Sequence, residues 1–297
     1  MRPFEFYRPT TVVEALELLD QYKGTAAVIA GGTDLVLELN EKKAQPAVVI
    51  DLKHIPELNY IKFENGVAHI GSMTTHGEIA ADKTIEKYVS ILHDACRQVG
   101  SPQIRNLATI GGNLCQSSVA GDGVAACANL NVTLVLRSKN GERQIAFRDF
   151  LAKGQNGKNT IEPDELLIEF FFPLPDITHT ATAFYKLGKR KALAISVIAA
   201  GMIVTVDDNG VCTECTMRAG AMSRYPQHYK GCEEYLVGKK LSWETMLGCL
   251  PIMHDQVFEA NKARASVFYK KESIQGVYKH VFADILRKLN IEEVEGF

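Results

Sequence analysis

Two short glycine elbows, roughly eighty residues apart, constrain this 297-residue chain more than any other feature. The first is Ala30-Gly31-Gly32-Thr33-Asp34-Leu35 and the second is Ala108-Thr109-Ile110-Gly111-Gly112-Asn113-Leu114. Each has an apolar lead-in, a glycine pair, a polar residue and a leucine. Paired glycines let backbone N–H groups converge with no side chain in the way, which suits a phosphate oxygen. Either elbow alone is compatible with a plain structural turn. Two of one design predict a cofactor with an extended phosphate bridge, clasped from two sides.

The elbows do not belong to a Rossmann unit. The second is entered through Gly100-Ser101-Pro102-Gln103-Ile104-Arg105-Asn106 and not from a strand. No G-x-G-x-x-G is present, and no acidic residue closes a second strand to hold a ribose.

Around the elbows the chain reads as alternating short elements. Thr11 and Glu14 have capping-box spacing, and Val12, Ala15, Leu16 and Leu19 recur at helical period, predicting a helix over 11–22. Strands are predicted at 26–30, 47–52 and 67–72, a short helix at 33–39 and a helix over 85–99 that Gly100 and Pro102 end. After a loop at 116–123, strands follow at 133–138 and 166–172. Pro173-Leu174-Pro175-Asp176 marks a domain boundary. Beyond it come strands at 181–186, 195–206 and 211–221, the last two joined by the hairpin signal Asp207-Asp208-Asn209-Gly210. Helices around 227–237, 243–265 and 273–289 close an α+β domain.

Composition excludes several classes of function. The formal charge is −2, with basic and acidic residues interspersed, so neither nucleic acid nor an anionic membrane is an expected partner. No apolar run reaches the roughly 20 residues of a membrane span and the start lacks a signal-peptide core, so the expected compartment is the cytoplasm. Seven cysteines without regular spacing read as free thiols. Cys212 and Cys215 form a C-x-x-C, but on a strand positions three apart face opposite ways, which argues against a shared metal. The histidines have neither ligand spacing nor a nucleophile partner. No metal site and no catalytic acid, base or nucleophile is expected.

The elbow pair, together with Gln103-Ile104-Arg105-Asn106 and the proline boundary, resembles the FAD-binding medium subunit of the molybdenum hydroxylases. That family includes xanthine, carbon monoxide, nicotinate and aromatic acyl-CoA dehydrogenases. The likeness spans the whole chain. It is strongest to the nicotinate dehydrogenase branch of anaerobic bacteria through 100–106, Ser117-Ser118-Val119-Ala120-Gly121-Asp122-Gly123 and Phe184-Tyr185-Lys186-Leu187-Gly188-Lys189-Arg190-Lys191. Xanthine dehydrogenase stands second.

The resemblance implies an α+β architecture. A two-subdomain FAD-binding fold of the vanillyl-alcohol-oxidase-like type would occupy 1–175 (about 1–55 and 56–175). A C-terminal α+β domain of the carbon monoxide dehydrogenase flavoprotein type, with an antiparallel sheet and helices, would occupy 176–297. It also implies cofactor contacts. Val28, Ile29, Ala30, Gly31, Gly32, Thr33, Asp34 and Leu35 would wrap the FAD diphosphate through backbone N–H groups and the Thr33 hydroxyl. Thr109, Ile110, Gly111, Gly112 and Asn113 would close its other side, with Gly100 and Ile104 nearby. Asp122 would accept from the cofactor's hydroxyls, Leu167 would pack against it, Lys186 would sit at the polar edge of the isoalloxazine and Ile195 would cover the ring.

One departure from the family stands just before that ring-covering position. Leu193 and Ala194 replace an acidic residue, leaving Lys189, Arg190 and Lys191 without local balance. A more positive flavin edge and a raised potential follow.

The implied role is electron transfer within a hetero-oligomer. Partner chains, an iron–sulfur subunit with 2Fe–2S clusters and a subunit holding molybdenum on molybdopterin cytosine dinucleotide, would supply electrons, and NAD(P) would accept them. The alternatives are a stand-alone FAD oxidase of the same fold and a flavin-free assembly subunit. The first lacks a candidate base or flavin-attachment residue, and the intact glycines and Asp122 argue against the second.

Overall fold

The computed structural model describes residues 2–152, 159–190, 192–263 and 265–297. Its chain divides into two compact units. The first comprises Met1–Ile79, Ser101–Ser118 and Asn131–Pro173; the second comprises Ala80–Gly100, Val119–Leu130 and Leu174–Phe297. Among the described residues no helix is long and apolar enough to cross a membrane.

The first unit holds two sheets. Strands β1 (Glu5–Tyr7), β2 (Ala26–Ile29) and β3 (Val48–Asp51) form a parallel sheet in the order β1-β3-β2. Parallel neighbours need crossover connections, and the helices Val12–Gln21 and Leu35–Asn40 supply them. Thr11 caps the first helix by accepting from Glu14 N at 3.2 Å. The return half of the predicted capping box goes mainly to Thr10, whose N–H donates to the Glu14 carboxylate at 2.7 Å. Val12, Ala15, Leu16 and Leu19 bury their stripe with Val48, Ile50, Val135, Leu166 and Ile168.

The other sheet of this unit is antiparallel. It contains β4 (Ile61–Glu64), β5 (Val67–Gly71), β6 (Thr133–Ser138), β7 (Gly141–Ala146) and β8 (Leu166–Pro173), in the order β4-β5-β8-β6-β7. β8 lies between two strands that precede it by some thirty and a hundred residues. Phe170 and Phe172 stack on one buried face, as the period of 2 dictates.

In the second unit β9 (Thr180–Gly188), β10 (Ser196–Val206), β11 (Cys212–Gly220) and β12 (Gln227–His228) form an antiparallel sheet in the order β12-β11-β10-β9. Ile198, Ala200, Met202 and Val204 face the closing helices Lys230–Leu236, Leu250–Asn261 and Val267–Lys288. Alternate positions of β10 face the helices Ser90–Arg97 and Asp122–Asn129. There a Cβ on Gly201 would stand 2.5 Å from Asn129 Nδ2 and 2.8 Å from Ile91 Cδ1. The C-terminal sheet is therefore covered on both faces, and the second cover comes from the middle of the sequence.

Three sequence expectations are corrected here. The helix predicted over 85–99 is two helices, Lys83–Tyr88 and Ser90–Arg97, because Val89 (φ −138°, ψ 52°) leaves the helical region. The stretch 243–265 is likewise split into Trp243–Leu247 and Leu250–Asn261. Cys212 and Cys215 do not face opposite ways: Val206 pairs with Cys212 while Thr205 pairs with Glu214, so Thr213 is an extra, bulged residue. The bulge resets the alternation, and both residues pack into the same hydrophobic core of the second unit.

Candidate cofactor site

The first elbow leaves the end of β2 and turns into the helix Leu35–Asn40. Gly32 takes φ +71°, a conformation that L side chains rarely adopt. Gly31 has a different constraint. A Cβ there would stand 2.6 Å from the carbonyl carbon of Leu107 and 2.9 Å from Ala108 Cα. Leu107 and Ala108 lead into the second elbow, so the two elbows touch backbone to backbone within the first unit.

The second elbow is the first turn of the helix Ile110–Gln116. Thr109 Oγ1 caps it, accepting from Gly112 N at 3.1 Å. Ile110 N donates to Thr74 O at 2.9 Å, Gly111 N to Ser72 O at 3.0 Å and Asn113 N to Thr109 O at 3.0 Å. Gly111 is needed because a Cβ would stand 2.6 Å from Ser72 Cβ. The four amides from Ile110 to Asn113 are thus spent inside the protein. The N–H groups of Gly31, Gly32, Thr33 and Asp34, by contrast, donate to no group among the described residues.

The two elbows, alike in sequence, therefore differ in what their amides do. The first elbow offers four consecutive N–H groups with no partner among the described residues. The second offers the side chain of Asn113, whose Oδ1 is buried without a partner.

Sequence reasoning missed the strap beneath the second elbow. Ser72–Gly77 runs along Arg105–Gly111, and His76 N donates to Ala108 O at 3.0 Å. Ser72 Oγ is a further buried atom without a partner. Burial, with a smaller contribution from the nearby Arg105 guanidinium, pulls His76 down to about 4, so its ring is neutral at physiological pH. The local sequence signal for this strap is only the small-polar run Ser72-Met73-Thr74-Thr75 after a strand.

The other predicted residues of this unit are placed as follows. Val28 and Ile29 lie on β2, and the Ile29 side chain reaches within 3.2 Å of where a Gly32 Cβ would stand. Leu35 opens its helix, and Asp34 precedes it with an exposed side chain that caps nothing. Ile104 is exposed on the short helix Pro102–Arg105, which Ser101 caps. Leu167 is buried in β8 opposite Leu136.

Gly100 (φ +46°), Asp122, Lys186 and Ile195 belong to the second unit. Asp122 opens the helix Asp122–Asn129, inside the stretch predicted as loop, and its side chain is 95 % buried. Lys186 Nζ donates to Asp122 Oδ2 at 2.6 Å and to Gln98 O at 3.0 Å. Ser196 Oγ donates to Asp122 Oδ1 at 2.5 Å. Burial raises the Asp122 carboxyl above its ordinary value, and Lys186 and Ser196 pull against that rise. The cation expected at a flavin edge is therefore already neutralised by a buried carboxylate. Ile195, next to Ser196, is 81 % exposed. Arg190 folds onto the carbonyl oxygens of Ala192 and Leu193, and Lys191 lies outside the described residues.

Comparison with known proteins decides the family. A family model described as the FAD binding domain in molybdopterin dehydrogenase matches residues 2–175. A second, the CO dehydrogenase flavoprotein C-terminal domain, matches 183–285. The nicotinate dehydrogenase FAD-subunit of Eubacterium barkeri is 53 % identical over 291 residues, 97 % of this chain and 98 % of that one. The chain belongs to the FAD subunits of the molybdenum hydroxylases. The xanthine dehydrogenase FAD-binding subunit of Escherichia coli O157:H7 is 28 % identical over 94 % of each chain. A solved carbon monoxide dehydrogenase from Hydrogenophaga pseudoflava shares the fold, with a TM-score of 0.87 at 23 % identity, covering 97 % of this chain and 99 % of that one.

This molybdenum hydroxylase FAD subunit is an oxidoreductase subunit, and the elbow geometry fits FAD. Four consecutive unspent amides match a diphosphate. The buried and unpartnered Asn113 Oδ1 and Ser72 Oγ match a polar ligand that is still to be satisfied.

Proposed function

We propose that this chain is the FAD-holding electron-transfer subunit of a nicotinate dehydrogenase-type molybdenum hydroxylase. Electrons arrive from the iron–sulfur clusters of one partner chain, a second partner holds the molybdopterin cofactor and hydroxylates the substrate, and NAD(P) is the acceptor. The nearly full-length identity to the nicotinate dehydrogenase FAD-subunit supports the choice of branch.

The observation that carries the local reading is the set of four unspent amides at Gly31–Asp34 beside the fully spent second elbow. In this reading the first elbow donates to the FAD diphosphate, assisted by the Thr33 hydroxyl. Asn113 Oδ1 accepts from a hydroxyl or N–H of the cofactor. Asp122 and Lys186 are further cofactor residues in this reading, with Asp122 as acceptor. When bound, FAD exchanges electrons with both one-electron and two-electron carriers. The chain supplies binding, orientation and a fixed electrostatic setting, and no proton-transfer residue is asked of it.

The test is purification of the complex from cells that express this chain with its two partner subunits. Nicotinate-dependent reduction of NAD or NADP, with FAD released on denaturation, is the expected result. Activity with purines and none with nicotinate moves the chain to the xanthine dehydrogenase type. A complex that releases no FAD on denaturation overturns the FAD reading.

A further inference from the structure

The Asp122 cluster contains one residue with no role in the reading above. Ser196 is the first residue of β10, 94 % buried, and among the described residues its hydroxyl bonds to Asp122 Oδ1 alone, at 2.5 Å. The other oxygen of that carboxylate takes Lys186 at 2.6 Å. The two donors thus hold the carboxylate from two strands, while its backbone is fixed at the start of a helix.

Stability gives no account of such a group, since apolar side chains of equal volume hold a core as well or better. Its donor inventory is also incomplete. An ammonium group has three N–H donors. Two are spent, on Asp122 and Gln98 O, so one has no acceptor among the described residues.

We infer that Ser196 is a positioning residue for the cofactor: its hydroxyl fixes the Asp122 carboxylate in one orientation and so keeps the remaining Lys186 N–H directed at an acceptor on FAD. The inference rests on the reading of Asp122 and Lys186 as cofactor residues. Without the Ser196 hydroxyl the carboxylate is held from one side only, free to rotate and to draw a second ammonium proton inward.

The groups facing Asp122 fix how this depends on pH. They are Lys186 from β9, Ser196 from β10 and the Cys96 thiol from the helix Ser90–Arg97, which burial keeps protonated. The Ser196 hydrogen bond favours the charged carboxylate, so its loss lets Asp122 take up a proton at a higher pH. A protonated Asp122 no longer pairs with Lys186. FAD affinity is then lost on acidification earlier in the variant than in the parent.

The experiment is titration of the FAD-free full-length chain with FAD, followed by flavin fluorescence from pH 5 to 8. The Ser196→Ala chain is expected to bind about tenfold more weakly at pH 7, the scale of one hydrogen bond to a charged group. Its affinity is also expected to fall at a higher pH than the parent's. Ser196→Thr, which keeps the hydroxyl, restores both readouts. A Ser196→Ala profile that superimposes on the parent's, or a Ser196→Thr chain that behaves like Ser196→Ala, overturns the inference. Asp122→Asn separates the two levels of argument. If it leaves FAD affinity unchanged, the cofactor reading of this cluster fails; if it weakens binding while Ser196→Ala does not, only the role of Ser196 fails.

Discussion

Gly31 packs against the peptide of Leu107 so closely that a Cβ on it would stand 2.6 Å from the Leu107 carbonyl carbon. One elbow is thereby seated on the lead-in to the other. Backbone, unlike a flexible side chain, cannot swing aside, so this contact sets the spacing of the two loops.

Gly31→Ala and Gly32→Ala should consequently differ. At Gly32 the new methyl meets the end of the Ile29 side chain at 3.2 Å, and the cost is that of a left-handed φ, about 1 kcal/mol. At Gly31 it meets backbone, and overpacking of that kind costs about 3 kcal/mol. Thermal melts of the two full-length variants should rank Gly31→Ala well below Gly32→Ala; equal melting temperatures would contradict the elbow contact.

His76 makes stability depend on pH. Its folded value of about 4 lies below the ordinary 6.5, so the unfolded chain binds the extra proton first. The contribution is complete above pH 6.5 and is lost as the pH falls from there toward 4. It amounts to about 3 kcal/mol at one pK unit per 1.36 kcal/mol. Urea titrations at pH 7 and pH 4.5 should show this loss in the parent and a flatter response in His76→Gln.

For the buried pair, one variant is worse than two. Lys186→Met leaves Asp122 buried and uncompensated, a loss of about 3–5 kcal/mol. The double variant Asp122→Leu with Lys186→Met should regain most of that stability and still bind FAD poorly. Recovery of FAD affinity along with stability would show the pair to be structural only.

The basic hairpin offers a prediction about potential. Ala194→Asp places a negative charge beside Lys189 and Arg190, and the flavin of the assembled complex should become harder to reduce. Spectroelectrochemical titration checks this; an unchanged or higher potential contradicts the effect assigned to the missing acid.

The elements visible in the sequence are those whose causes are local. The helix Val12–Gln21 was marked by its stripe and Thr11, and the β10–β11 hairpin by Asp207-Asp208-Asn209-Gly210. The glycine pairs marked where the chain turns, yet not what each glycine does. Whether an elbow's amides are free depends partly on Ser72 and Thr74, which lie far upstream and take two of the four amides of the second elbow. The same holds for Asp122: its sequence neighbours, Gly121 and Gly123, read as a loop, while Lys186 and Ser196 come from distant strands. The bulge at Thr213 reversed the inference about Cys212 and Cys215, because alternation is reliable only along an uninterrupted ladder.

The way the chain is shared between its two units has a consequence during synthesis. It passes from one unit to the other after Ile79, Gly100, Ser118, Leu130 and Pro173. The helices Ser90–Arg97 and Asp122–Asn129 are made early, but the sheet they cover begins only at Thr180. At ribosomal speeds of about 5–20 residues per second they wait several seconds with their apolar faces unpaired. A polypeptide released at the boundary between the two family matches, near residue 175, would leave them unpaired for good. Although the sequence falls into two consecutive family segments, neither can be inherited, truncated or exchanged as a self-sufficient module.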